Sequence, residues 1–201
     1  FYDLTFKVGK GVLIPRPETE LLVDFAIGKL WGTDNPVVYD LCAGSGCVGL
    51  TIAKHRPDAT VYLLEKESAA FEYLKTNKEY HRLDNAVIIK GDLFSFDINE
   101  LPSADVIVSN PPYIASSEIP KLQKEVLHEP MSALDGGNDG LDFYRCIEDR
   151  WAGKIKFGGY IGLECGENQS KDIIKIFEGE YRKKEVIFDF NNIDRIVTFR
   201  I

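Results

Sequence analysis

Val37-Val38-Tyr39-Asp40-Leu41-Cys42-Ala43-Gly44-Ser45-Gly46-Cys47-Val48-Gly49-Leu50-Thr51-Ile52-Ala53-Lys54 is the stretch whose reading decides the fold. Val37 to Leu41 reads as a buried strand, because a short apolar run of this kind suits a strand covered on both faces. Cys42 to Cys47 is a glycine turn, and Val48 to Lys54 reads as a helix. Strand, glycine turn and helix form the first unit of a doubly wound α/β fold, with a ligand over the strand's carboxyl end. Glycines there let the backbone approach a ligand closely, and the helix start leaves N–H groups free to donate. Gly44, Gly46 and Gly49 match the GxGxxG spacing, so a dinucleotide is one candidate ligand.

Working outward, Thr60 to Glu65 reads as a second strand ending in an acid about twenty residues past the glycine turn, where a carboxylate can accept both hydroxyls of a ribose. Lys66 to Tyr80 reads as a helix with Ala69, Ala70, Tyr73 and Leu74 inward, and Ala86 to Lys90 as a third strand. Gly91-Asp92-Leu93 follows; Asp92 can hydrogen-bond an adenine amino group and Leu93 can sit beside the ring, although a Gly-Asp pair by itself is only a turn. Asp105 to Ser109 is a fourth apolar strand, and it delivers Asn110-Pro111-Pro112-Tyr113. Prolines fix φ, push the preceding residue towards extended geometry and donate no backbone hydrogen bond. The Asn110 side chain and the Asn110 and Pro111 carbonyls therefore stand at a strand end without a neighbouring N–H to quench them. Such a site suits an incoming N–H₂ group, with Tyr113 on its flat face; the plainer alternative is a strand terminator and turn. Leu141 to Trp151 and Asn168 to Glu178 read as helices, Gly159 to Glu164 as a fifth strand, and Glu185 to Phe190 with Arg195 to Arg200 as a closing antiparallel pair. The alternation predicts an α/β protein, its sheet mostly parallel with helices on both faces.

Upstream, Leu4 to Val8, Gly9-Lys10-Gly11 and Val12 to Ile14 read as an N-terminal β-hairpin occupying residues 1–15. Pro17 suits a first helical turn, with Leu21, Leu22, Phe25, Ala26 and Leu30 on one face; Arg16, Glu18 and Thr19 fit capping and dipole compensation there.

The 201 residues carry a net charge of −8, which repels phosphate backbones in the absence of a basic patch. No apolar run reaches membrane-spanning length and no signal-peptide pattern is present. Cys42, Cys47, Cys146 and Cys165 lack CxxC spacing, which argues against a metal or a disulfide framework and for reduced thiols in the cytoplasm.

The glycine loop, Glu65, Gly91-Asp92 and Asn110 to Tyr113 together resemble an S-adenosylmethionine-dependent methyltransferase of the Rossmann-like class. Val12-Leu13-Ile14-Pro15-Arg16-Pro17-Glu18-Thr19-Glu20-Leu21-Leu22-Val23, and Glu129-Pro130 through Gly140-Leu141-Asp142-Phe143-Tyr144-Arg145, are similar to the HemK/PrmC family. That family methylates the side-chain amide of the glutamine in the Gly-Gly-Gln loop of peptide-chain release factors. The resemblance implies a seven-stranded sheet, S-adenosyl-L-methionine as cofactor with S-adenosyl-L-homocysteine as product, and a release factor as partner, for a monomer that binds neither nucleic acid nor membrane. Carried over by position, Asp40, Cys42, Ala43, Gly44, Ser45, Gly46 and Glu65 hold the methionine and ribose, Asp92 and Leu93 flank adenine, and Asn110 lies beside the methyl group. Asn110, Pro111, Pro112 and Tyr113 hold the glutamine amide, and Arg16, Glu18 and Thr19 are candidates for an active-site lid. Two departures stand out: Cys42-Ala43 replaces the family's usual Gly-Thr, and Glu65 replaces a commoner Asp. Neither removes the chemistry, since backbone contacts need no side chain and either acid binds a diol. The family's small amino-terminal helical domain has no counterpart in residues 1–201, so the chain is expected to be the catalytic domain alone.

Three other readings compete. An enzyme methylating adenine or guanine amino groups uses the same Asn-Pro-Pro-Tyr chemistry, but the acidic balance and the two outer stretches count against it. A nicotinamide-dependent dehydrogenase leaves Asn110 to Tyr113 unexplained. A non-catalytic scaffold has no need of an intact Asn110 flanked by both prolines.

Overall fold

The central strand β1, Val37–Leu41, splits its side chains between two cores: Val38 points to one, Tyr39 and Leu41 to the other. This is the period-2 alternation of a strand covered on both faces. The computed structural model describes residues 1–124, 126–179 and 181–201. Seven strands form one sheet in the order β3-β2-β1-β4-β5-β7-β6. They are β2 (Thr60–Glu65), β3 (Ala86–Lys90), β4 (Ala104–Ser109), β5 (Ile155–Glu164), β6 (Lys183–Phe188) and β7 (Asp194–Arg200) beside β1. The strands β1 to β5 run parallel, and β7 inserts antiparallel between β5 and β6.

On one face lie α1 (Glu20–Lys29), α2 (Cys47–His55) and α3 (Ser68–His81), which contribute Leu22, Phe25, Leu50, Ile52 and Leu74 to the first core. On the other lie α4 (Asp142–Cys146), a following π-helical turn (Ile147–Trp151) and α5 (Ser170–Ile176), with Tyr144, Trp151 and Ile173 in the second. The Trp151 indole N–H donates to the Leu93 carbonyl at 3.1 Å, so this large side chain is buried without an orphaned donor. Among the described residues no helix is long and apolar enough to cross a membrane.

The expected N-terminal β-hairpin is not formed, and residues 1–36, all described, contain no strand. Leu4, Phe6 and Val8 do turn inward while Thr5 and Lys7 face solvent, so the alternation in the sequence is real. Its partner is α3 rather than a second strand. The Lys7 N–H donates to Asn77 Oδ1 at 2.8 Å, and its carbonyl accepts from Asn77 Nδ2 at 3.0 Å. One carboxamide thus supplies the donor and acceptor that a neighbouring strand would have offered, and the backbone needs no other pairing. Ala69, read as inward, is exposed on α3, and the helices expected over 141–151 and 168–178 are shorter or irregular at their ends.

Candidate active site

The strand order reverses between β1 and β4, and parallel sheets leave a crevice beyond the strand ends at such a point. A cavity of about 270 Å³ lies there. It is lined by Asp40 of β1 and Cys42 to Ser45 of the turn after it, Glu65 at the end of β2, Asp92 and Leu93 after β3, and Asn110 and Pro112 after β4. Four loops far apart in sequence meet because four parallel strands end at one level. Arg16 and Thr19 also line the cavity; Gly46, Pro111, Tyr113 and Glu18 do not.

The glycine loop divides its labour. A Cβ on Gly44 meets nothing within 4 Å, so this residue opens on free space. A Cβ on Gly49 would lie 2.8 Å from Asp40 Oδ2, the atom that accepts the Gly49 N–H at 2.8 Å. Gly49 therefore serves the contact between α2 and β1. The Gly46 N–H is already donated to the Ala43 carbonyl at 2.8 Å, inside the turn.

Asp40 is 1% exposed, and burial pushes its pKa up to about 7 against the pull of the Gly49 N–H. Glu65 is also raised by burial, while the Glu67 and Gly44 N–H groups restrain it. Its Oε2 accepts from Gly44 at 2.7 Å and its Oε1 from Glu67 at 2.6 Å. A carboxylate has about four lone-pair sites, so each oxygen keeps capacity for a further donor. Burial acts upward on Asp92, but the Phe94 N–H and the Lys66 ammonium, 3.0 Å from Oδ2, outweigh it and hold the pKa below its ordinary value. Burial pushes the Cys42 thiol well up, which removes it from consideration as a nucleophile.

Asn110 stands on the cavity wall with its Nδ2 donating to Thr19 Oγ1 at 3.2 Å. The following backbone is braced by the 134–140 loop. Ile114 N–H donates to Leu134 O at 3.0 Å and Gly136 N–H to Ile114 O at 2.9 Å. A Cβ on Gly136 would lie 2.8 Å from both Pro112 O and Tyr113 Cα, so only glycine allows that approach. The Tyr113 carbonyl accepts from Gln169 Nε2 at 2.8 Å, and burial raises its phenol to about 12. Across the cavity mouth Arg16 Nη2 meets Glu129 Oε1 at 2.6 Å, joining the segment before α1 to the loop before α4.

Sequence reasoning missed three residues that build this site. Asn77, fully buried, also donates to Ser45 O at 3.0 Å, tying the glycine turn to α3 and to the N-terminal segment. Glu129 opens one of the family-like stretches but carries no role in the sequence reading, yet its side chain is 6% exposed. Glu164 ends β5 at 2% exposure, beside Asn110. A helix-interior Asn and two acids flanking apolar residues were the only signals, and each is common.

Residues 19–139 match the model of the methyltransferase small domain. A release factor glutamine methyltransferase of Thermodesulfovibrio yellowstonii is 39% identical, with 98% of this chain and 71% of the relative covered. That of Clostridium acetobutylicum is 41% identical over 98% of this chain and 70% of its own length. Among solved structures, the release factor-specific protein-(glutamine-N5) methyltransferase of Alicyclobacillus acidocaldarius superposes with a TM-score of 0.58 at 27% identity, covering 97% of this chain and 98% of that one.

Proposed function

The chain belongs to the release factor glutamine methyltransferase family, and from that premise we propose that it methylates the side-chain amide nitrogen of the glutamine in the Gly-Gly-Gln loop of a peptide-chain release factor. The cofactor is S-adenosyl-L-methionine, and the cavity suits it. Asp40 and Glu65 line the cavity and, when ionised, would accept from an ammonium group and a ribose diol, and Leu93 with Phe143 offers apolar surface to a purine. Asp40, Cys42 to Ser45 and Glu65 would hold the methionine and ribose portions; Asp92 and Leu93 would flank the adenine. When bound, the cofactor supplies an electrophilic methyl carbon and leaves as S-adenosyl-L-homocysteine.

The observation that carries the reading is the orientation of Asn110: it lines the cavity with its amide nitrogen turned to Thr19, donating one hydrogen there, so its carbonyl oxygen is the end left to accept. An amide nitrogen is a poor nucleophile because its lone pair is delocalised, as the C–N rotation barrier of about 18–20 kcal/mol attests. Asn110 Oδ1 and the Pro111 carbonyl would accept the two substrate N–H groups, turn the lone pair out of conjugation and stabilise the growing positive charge. Hydrogen bonds to a charged group contribute roughly 1.5–3 kcal/mol each. Alignment can contribute about 7–11 kcal/mol, so positioning dominates. Pro112 and Tyr113 hold the acceptors rigid, and the methylated nitrogen releases its proton afterwards.

Arg16, Glu18 and Thr19 would form the near side of a lid, which the Arg16–Glu129 ion pair would fasten. Residues 1–201 act as one catalytic domain, a monomer whose protein partner is the release factor. The four free thiols suit the reducing cytoplasm. Incubation with labelled S-adenosylmethionine should label release factor, leave a Gln→Ala loop variant unlabelled, and spare DNA and RNA. Label on nucleic acid and none on release factor would overturn the substrate.

A further inference from the structure

Glu164 is a buried acid that the reaction above does not use. The register of β4 with β5 pairs Ser109 with Leu163, so the next residues, Asn110 and Glu164, emerge side by side at the strand ends. Glu164 is 2% exposed, and its Oε2 has no hydrogen-bond partner among the described residues. Among the polar side chains meeting there are Thr19, itself 2% exposed, and Asn110. A buried carboxylate placed so is expensive unless donors reach it, and its neighbours give it a task.

We propose that Glu164 is a positioning residue that fixes which end of the Asn110 carboxamide faces the substrate; this rests on the functional reading above. An ionised carboxylate accepts only. It would take the single hydrogen of the Thr19 hydroxyl, the group that lowers its pKa most, and Thr19 Oγ1 could then only accept, which matches the Asn110 Nδ2 to Thr19 Oγ1 bond of 3.2 Å. The Asn110 Oδ1 is left turned away from Thr19, ready for an amide N–H. Protonated Glu164 would donate to Thr19 instead, freeing the hydroxyl hydrogen for Asn110 Oδ1 and turning the wrong end towards the substrate.

The charges around Glu164 make that change reachable. Burial raises its pKa to about 7, with the Thr19 hydroxyl, Arg195 of β7 and the Asn110 amide pulling it down and Glu18 before α1 pushing it up. The other titratable groups facing it are neutral: Tyr113 after β4, Tyr144 of α4, Cys47 of α2 and Cys165 after β5 are all raised by burial.

The test has two arms. At saturating S-adenosylmethionine, kcat for release factor should rise with pH through about 7. Glu164→Gln should lower kcat about tenfold, equivalent to about 1.4 kcal/mol, leave cofactor affinity unchanged and abolish the pH limb. Thr19→Val should do the same, and Thr19→Ser should restore both. In the second arm, NMR of protein labelled with ¹⁵N-asparagine should show the Asn110 side-chain resonance titrating with a midpoint of about 7 in the wild type and not in Glu164→Gln. A resonance that does not titrate, or one that titrates equally in both proteins, overturns the proposal. An acid limb that survives Glu164→Gln also overturns it and assigns the limb elsewhere, Asp40 being the next group near that pH. If the wild type leaves release factor unmethylated, the functional reading falls, while the resonance still judges Glu164.

Discussion

Asp40 is the residue on which the proposed cofactor binding and stability pull in opposite directions. Its carboxyl is buried at the end of β1, and its pKa is displaced from 3.8 to about 7 by burial. At pH 8 the protein therefore holds an ionised buried carboxylate that its unfolded chain would solvate freely. Asp40→Asn keeps an oxygen for the Gly49 N–H and removes the charge. We expect its Tm to exceed the wild type's at pH 8, at roughly 2–4 °C per kcal/mol for a chain of this size, with the gain gone at pH 5. Cofactor affinity should fall in the same variant; thermal scans at both pH values and isothermal titration check the two halves. Asp40, Glu65 and Asn110 were all legible, because each is the last residue of, or the first after, an apolar run that announces a strand end. Glu164 has the same signature and was passed over. Its significance lies in its neighbour across the β4–β5 pairing, and a single strand does not disclose its partner.

Among the elements, β1, β2 and β3 were readable residue for residue, since buried parallel strands are short apolar runs between polar turns. β5 begins at Ile155, earlier than Gly159, because its register with β4 shifts between Ala104 and Val106. The N-terminal segment shows the limit of periodicity: alternation reveals an extended, half-buried chain but not what lies beside it. Asn77 is what lies beside it. Asn77→Ala would leave the part-buried Lys7 N–H and carbonyl and the buried Ser45 carbonyl without their partner, and a buried group stranded this way costs roughly 1–3 kcal/mol. Hydrogen exchange should accelerate across residues 4–12 and in the glycine turn, while the far strands β6 and β7 keep their protection. At the other wall, Gly136→Ala would drive a methyl group into Pro112 O and Tyr113 Cα. Overpacking of this kind costs about 1–3 kcal/mol. Methyl transfer should fall by more than stability does, because the displaced backbone directly follows Asn110 and Pro111, the proposed substrate acceptors; activity and denaturant midpoint measured on one preparation separate the two.

For the molecule as a whole, buried carboxylates set an unusual pH response, Asp40 and Glu164 foremost and Glu65 in the same direction. Asp40 and Glu164 move from 3.8 and 4.5 to about 7 on folding. The folded state therefore binds more protons than the unfolded state across that interval, and stability falls as pH rises through it, then levels off. Carboxylates held low by partners, such as Asp139 beside Arg145, act oppositely and lose their contribution only as pH drops through the acid range. The apo protein should be more stable at pH 5 than at pH 8, and an Asp40→Asn/Glu164→Gln double variant should flatten the difference; a wild-type Tm that climbs towards pH 8 contradicts this. The mostly parallel sheet and the two-sided cores followed from the alternation of strands and helices, but the order of the strands and the meeting of Thr19, Asn110 and Glu164 needed the assembled sheet. The central claim is that Asn110 grips a glutamine amide and does not merely retain the cofactor. Mass spectrometry of the release-factor loop peptide, after incubation with S-adenosylmethionine and either wild type or Asn110→Ala, tests it most directly. The account predicts one added methyl group on the glutamine with wild type and none with a variant that still binds the cofactor; methylation by Asn110→Ala at the wild-type rate would contradict it.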